Sequence, residues 1–202
     1  MRVLIFGHSY VRDLLALGDW NRQVRLSTGK LVDLEFLFRY YSGKDFDYFL
    51  DKPEPFQAIK DLNPDMIVVI LGGNLIVNGI SNSNIKLMAD NFYCHLQKFL
   101  RPDCVRFAAQ VEPRFVISGN NYGTPEAEEF ERRRRQVNNF FNTILKKKNY
   151  VDYLVFALKS SDKDLYKPDG VHLNNEGLKR YRDTLLGSLV YALEERPLLG
   201  TQ

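Results

Sequence analysis

Apolar runs of strand length alternate with segments of helical period along the whole chain. Val3-Leu4-Ile5-Phe6 is a short apolar run ended by Gly7, and Met66-Ile67-Val68-Val69-Ile70-Leu71 is the most continuous one. A run with no polar alternation suits a parallel strand covered on both faces. Val32 to Phe38 alternates only in part, which predicts a strand at or near a sheet edge. Val105 to Val111 and Tyr153 to Ala157 supply two further strands. Between them, helices are expected at Ser9 to Leu17, Pro55 to Leu62 and Asn82 to Leu100. In the last of these Ile85, Met88, Phe92, Leu96 and Leu100 share one face. Pro125 opens a charged helix at the position where proline is best tolerated, with Phe140 and Ile144 on its apolar stripe. Asn174 starts a closing helix with Leu178, Tyr181, Leu185 and Leu189 at helical spacing.

Strand and helix alternating about five times imply a parallel sheet covered on both faces. The expectation is a flavodoxin-like, doubly wound, five-stranded α/β/α sandwich, formed as one domain over residues 1–196 with a loose tail at 197–202. In such sheets chemistry gathers beyond the carboxyl ends of the strands, where strand order reverses. The residues that follow the first, third and fifth strands are therefore the ones to inspect.

Composition adds little to this picture. Hydrophobic residues make up 45% and charged residues 26%, which is ordinary for a globular chain of 202 residues. A formal charge of +3 permits an acidic partner without arguing for one. Cys94 and Cys104 fit buried thiols or one disulfide, in neither a CxxC nor a metal-ligand spacing. No apolar run approaches the roughly 20 residues that span a bilayer, and the opening segment reads as a strand rather than a secretory leader. A cytoplasmic or nuclear location is the simplest expectation.

The three inspected places hold Gly7-His8-Ser9, Gly72-Gly73-Asn74 and Asp169-Gly170-Val171-His172. The first sets a hydroxyl at a helix start, where free N–H groups favour developing negative charge. The second sets a side-chain amide beyond the central strand, after two glycines that allow close approach of a substrate. The third sets a carboxylate and an imidazole three residues apart. A serine nucleophile needs a base, and the base needs a partner that holds its tautomer. Taken singly, Ser9 reads as a helix N-cap, Asn74 as a turn former and Asp-x-x-His as a solvated turn. Their shared position on one sheet edge favours chemistry. No metal cluster or phosphate loop stands out: His8, His95 and His172 are far apart, and Gly72-Gly73 lacks the Lys-Ser/Thr of a Walker loop. No cofactor or metal is expected.

These blocks resemble those of the SGNH (GDSL-like) hydrolases over residues 1 to about 190. Gly7-His8-Ser9 stands where that family has Gly-Asp-Ser, and Gly72-Gly73-Asn74-Leu75 where it has Gly-x-Asn-Asp. Asp169-Gly170-Val171-His172 matches its Asp-x-x-His block, and Gly43 is the candidate for its lone glycine. The resemblance implies a serine esterase acting on short, acetyl-like carboxylic esters. Ser9 would be the nucleophile, His172 the base and Asp169 its orienting partner. The oxyanion hole would combine Asn74 with the N–H groups of Ser9 and Gly43. His8 replaces an aspartate and is a candidate donor or substrate contact, together with Gly73 and Tyr122. Leu75 replaces a second aspartate with a side chain that cannot hydrogen-bond. The Gly-His-Ser block also resembles esterase domains of LINE-type retrotransposon proteins.

Two further segments remain. Arg132 to Arg135 and Lys146 to Lys148 flank the charged helix, with Glu126, Glu128, Glu129 and Glu131 one turn away. A salt-bridged, solvated helix is the plain reading. The competing one is a nucleic-acid or lipid-binding surface using Arg132, Arg135 and Lys146, helped by Arg101, Arg106 and Arg114, on an inactive hydrolase scaffold. The segment from Arg114 to Thr124 is expected to be a long loop whose Phe115, Val116, Ile117 and Tyr122 could wall an acyl group.

Overall fold

A computed structural model describes residues 1–117, 120–121, 125–156, 158–159 and 161–196. In chain order the elements are β1 (Arg2–Gly7), α1 (Ser9–Ala16), β2 (Arg22–Arg25), β3 (Leu31–Tyr40), α2 (Phe46–Leu50), α3 (Pro53–Leu62), β4 (Met66–Ile70) and α4 (Gly73–Val77). There follow α5 (Asn82–Leu96), β5 (Val105–Ala109), the two-residue strands β6 (Val116–Ile117) and β7 (Asn120–Asn121), α6 (Pro125–Phe140), β8 (Tyr153–Val155) and α7 (Asn175–Glu195).

The main sheet runs β2-β3-β1-β4-β5-β8. β3, β1, β4, β5 and β8 are mutually parallel, with β1 in register against β4 as Val3↔Met66, Ile5↔Val68 and Gly7↔Ile70. The expected doubly wound α/β/α sandwich is therefore present, with one correction: the sheet has six strands rather than five. The sixth, β2, pairs antiparallel with β3 at the edge. Its four residues, Arg-Gln-Val-Arg, alternate between half-buried and exposed and contain a single apolar side chain. Such a segment carries too little hydrophobic pattern to register as a strand. Its arginines blunt an edge that would otherwise recruit other strands.

Side chains of the central strands alternate between two cores with the period of two that strands impose. Val3, Ile5, Met66 and Val68 pack with α1 and α7, where Val11, Leu14, Leu178, Tyr181, Leu185 and Leu189 lie. Leu4, Phe6, Ile67 and Val69 pack on the other face with α2, α3, α5 and α6, through Phe46, Phe49, Phe56, Phe92, Val137 and Phe141. Both faces of β4 are fully covered, which explains its unbroken apolar run.

Element ends differ from the sequence expectations where side chains take over backbone partners. β5 stops at Ala109 rather than Val111, because the Asn138 side chain serves Val111 in place of a strand. Val111 N–H donates to Asn138 Oδ1 at 2.9 Å, and Asn138 Nδ2 donates to the Val111 carbonyl at 3.0 Å. α5 tightens into a 3₁₀ turn at Gln97–Phe99, leaving Leu100 beyond the helix. The expected loop after β5 contains the β6–β7 hairpin. Tyr122 and the tail from 197 lie outside the described residues. Cys94 is an exposed free thiol and Cys104 a buried one. Among the described residues no helix is long and apolar enough to cross a membrane.

Candidate active site

Strand order reverses between β1 and β4, and the segments leaving their carboxyl ends meet there. His8 N–H donates to the Ile70 carbonyl at 3.3 Å. A Cβ on Gly7 would lie 2.2 Å from that same oxygen, so only glycine lets the two strand ends approach this closely. The turn after β3 joins them, since Tyr41 N–H donates to the Gly7 carbonyl at 2.9 Å. Gly43 occupies that turn at φ +73, a left-handed conformation that glycine adopts without strain.

Ser9 is the first residue of α1 and does not cap it. His8 takes the cap position, with Nδ1 accepting from Tyr10 N–H at 3.4 Å. The N-cap reading of Ser9 is thereby replaced, and its hydroxyl holds no hydrogen bond to any described residue. The Ser9 and Gly43 N–H groups likewise have no acceptor among the described residues. Burial first, then the Arg114 and His172 charges, push His8 down to about 3. It is a neutral imidazole, and with Nδ1 accepting, its proton sits on Nε2. His8 is 6% exposed and lines a small cleft of mixed character, in which Gln110, Glu112 and Arg114 lie with Ile70, Leu71 and Val111.

The segment after β4 is held by a residue that sequence reasoning passed over. Asp45, the N-cap of α2, is 3% exposed and accepts four backbone hydrogen bonds. Its Oδ1 receives Phe46 N–H at 2.9 Å and Gly72 N–H at 2.7 Å, and its Oδ2 receives Asn74 N–H at 3.1 Å and Leu75 N–H at 3.4 Å. Burial pushes its carboxyl up to about 6, against the downward pull of those four bonds. The signal in the sequence was an N-cap aspartate ahead of Phe46 and Phe49, one helical turn apart. The Asn74 side chain is fixed separately: Arg114 Nη2 donates to Asn74 Oδ1 at 3.0 Å. Its Nδ2 hydrogens are left to point elsewhere. Arg114, expected to help a phosphate surface, instead belongs to this site.

The third segment carries the imidazole. Asp169 Oδ2 lies 2.9 Å from His172 Nδ1, while Asp169 Oδ1 accepts the N–H groups of Val171 and His172, each at 2.9 Å. These bonds outweigh desolvation and hold Asp169 at about 2, so it is a carboxylate throughout the ordinary pH range. His172 is about one-third exposed, so solvent and ligands can reach it. The loop is tied to the β1 end by Tyr10, whose hydroxyl donates to the Val171 carbonyl at 2.6 Å. Phe115 N–H, donating to the Gly170 carbonyl at 2.7 Å, ties it to the segment after β5. The sequence-predicted residues Ser9, Gly43, Gly73, Asn74, Asp169 and His172 thus all stand on segments leaving the carboxyl edge of one sheet.

The basic run divides by its position on α6. Arg134 is buried, donating to Glu131 and to the Val111 carbonyl. Arg133 reaches the Ile76 and Ile80 carbonyls. Arg132 pairs with Glu129 and Arg135 with Glu131 at the surface. Arg101 and Arg106 pair with Asp65 and Asp152 near the opposite, amino end of the strands, away from α6's exposed face.

Neither protein-family profiles nor characterised protein sequences show a match to this chain. Solved structures do. A GDSL-like lipase from Bacteroides thetaiotaomicron VPI-5482 superimposes with a TM-score of 0.62 at 15% identity, over 95% of this chain and 89% of that one. The psychrotrophic esterase EstA from Pseudoalteromonas sp. gives 0.60 at 16% identity, over 95% and 98%. A carbohydrate esterase family 3 protein from Talaromyces cellulolyticus gives 0.65 at 12% identity, over 97% and 99%. The chain has the fold of the GDSL-like (SGNH) hydrolases.

Proposed function

We propose that the protein is a serine esterase that cleaves short, acetyl-like carboxylic esters. Ser9 Oγ attacks the ester carbonyl while its proton passes to His172 Nε2, and the carbonyl oxygen becomes an oxyanion. Asn74 Nδ2 and the N–H groups of Ser9 and Gly43 stabilise that charge. Collapse of the intermediate breaks the bond to the alkoxy group, which leaves as the alcohol with the proton from His172. Water then attacks the acyl-serine by the same route in reverse, releasing the carboxylic acid. Asp169 orients the ring and favours its charged form in the transition state.

The observation that carries this reading is the Asp169–His172 pair. An ionised carboxylate sits 2.9 Å from Nδ1, and the loop that bears it is bonded to the side chain next to Ser9. The Ser9 and Gly43 N–H groups, which have no acceptor among the described residues, support it further. The narrow cleft beside His8 and Gly73 favours small acyl groups. The weaker reading is a nucleic-acid or lipid-binding scaffold using Arg132, Arg135 and Lys146. Arg132 is paired with Glu129, and Arg135 shares Glu131 with Arg134.

Hydrolysis of p-nitrophenyl acetate and labelling by a fluorophosphonate test the proposal. Wild type should turn over and label at Ser9, and both should vanish in Ser9→Ala and fall steeply in His172→Ala. Labelling that persists in Ser9→Ala would assign the chemistry to another residue.

A further inference from the structure

We infer that Arg114 is the positioning residue of the oxyanion site, holding the Asn74 amide so that Nδ2 faces the substrate. This rests on the esterase reading above. The family pattern to which the chain is similar has an aspartate after the asparagine, and Leu75 offers no hydrogen bond in its place. The structure supplies two substitutes from other parts of the chain. Asp45 fixes the backbone of Asn74 and Leu75, and Arg114 fixes the side chain.

An amide held only by its backbone can turn about its last torsion and present either its oxygen or its nitrogen to a ligand. An oxyanion is repelled by the first and bound by the second. The guanidinium removes that ambiguity, because it can only donate and therefore selects the amide oxygen. Arg114 is itself held firmly: it is partly buried, and its guanidinium lies 5.7 Å from the Phe130 ring centre. Gly73 makes room for it. A Cβ at that position would stand 3.0 Å from Arg114 Nη2, the same nitrogen that bonds Asn74. Gly73 therefore serves Arg114 as well as the cleft.

The test is a double-mutant cycle on p-nitrophenyl acetate with Asn74→Ala, Arg114→Met and the pair. Asn74→Ala should lower kcat by ~10²–10³. Arg114→Met should lower kcat by about 10–100-fold with KM within about threefold, since only transition-state binding is lost. The double variant should be within about threefold of Asn74→Ala alone, whereas a merely structural arginine would add its loss to the first. Arg114→Lys should recover part of kcat. If Arg114→Met does not fold, Gly73→Ala crowds the same nitrogen without removing the charge and should lower kcat in the same direction by a smaller factor. Wild-type kcat in either variant, or additive losses in the cycle, overturns the inference.

A second readout does not need turnover. The two Asn74 side-chain amide proton NMR signals, distinct in either protein because rotation about the C–N bond is slow, should move toward the shifts of a solvent-exposed amide in Arg114→Met. Unchanged signals overturn the positioning role. Absence of Ser9-dependent turnover in wild type alongside that spectral change would instead remove the esterase reading.

Discussion

Replacing Asp45 by asparagine tests the account of the site more sharply than removing a reacting group. The side chain keeps its shape and loses one acceptor. Oδ1 holds the shorter bonds, to Phe46 and Gly72, so the amide nitrogen should take the Oδ2 place and face the N–H groups of Asn74 and Leu75. Leaving a buried donor without an acceptor costs about 1–3 kcal/mol, hence about 2–6 kcal/mol for these two. Opposing this is the cost of the buried charge. Displacement of the carboxyl from 3.8 to about 6 corresponds to about 3 kcal/mol at neutral pH, at 1.36 kcal/mol per pH unit. The two effects oppose each other, so Asp45→Asn should lie between about 1 kcal/mol more stable and about 3 kcal/mol less stable than wild type at pH 7. Asp45→Ala removes the same charge but strips the acceptor from all four N–H groups, and should be less stable than Asp45→Asn by about 2–6 kcal/mol.

The pH dependence separates this account from its rivals. Because the folded value is the higher one, the native state takes up a proton that the unfolded chain releases between about pH 4 and 6. The wild type therefore becomes more stable as pH falls through that window. Relative to Asp45→Asn it should gain about 2 kcal/mol between pH 7 and pH 4.5. Urea unfolding of both proteins at four or five pH values measures the difference directly. A flat difference, or one that moves against wild type on acidification, would refute the reasoning, since the four hydrogen bonds would then balance or outweigh desolvation. Esterase activity of Asp45→Asn should fall at pH 7 even where stability does not.

Asp169→Asn should leave the fold intact and lower kcat on p-nitrophenyl acetate by up to ~10⁴, the size of effect seen when a triad carboxylate loses control of the tautomer; a loss below tenfold would remove Asp169 from that role. His8→Asn retains a capping side chain, and because His8 is held at about 3 it should leave the shape of the pH–rate profile between pH 5 and 9 unchanged; a displaced limb would show that His8 titrates during turnover. Gly7→Ala drives a methyl group against the Ile70 carbonyl and should destabilise by ~3 kcal/mol, lowering Tm by about 6–12 °C for a chain of this size; a Tm within 2 °C of wild type would contradict the close approach of β1 and β4.

The architecture was legible because the central strands advertise themselves. β1 and β4 are covered on both faces, and a strand with no solvent side needs no polar positions. β2 escaped notice for the opposite reason, as a four-residue edge segment has almost no apolar content to read. The chemical residues were legible as blocks of neighbours, such as Asp169 to His172, whose spacing survives in the one-dimensional chain. Their supports were not. Asp45 lies 27 residues from Gly72, the first N–H it receives beyond its own helix, and Arg114 lies 40 residues from Asn74. Those contacts exist only once β3, β4 and β5 have aligned, and no local pattern encodes them. The same holds for Arg134, which reads as one of four like charges and is buried between Glu131 and the Val111 carbonyl.

The face of β1 that bears Val3 and Ile5 is shielded partly by α7, the last helix described, whose Leu185 and Leu189 meet that core. A growing polypeptide therefore leaves this core covered only in part, by α1, until synthesis has passed Leu189. A stop before α7 would remove Leu178, Tyr181, Leu185 and Leu189 and leave the rest of this core open to water.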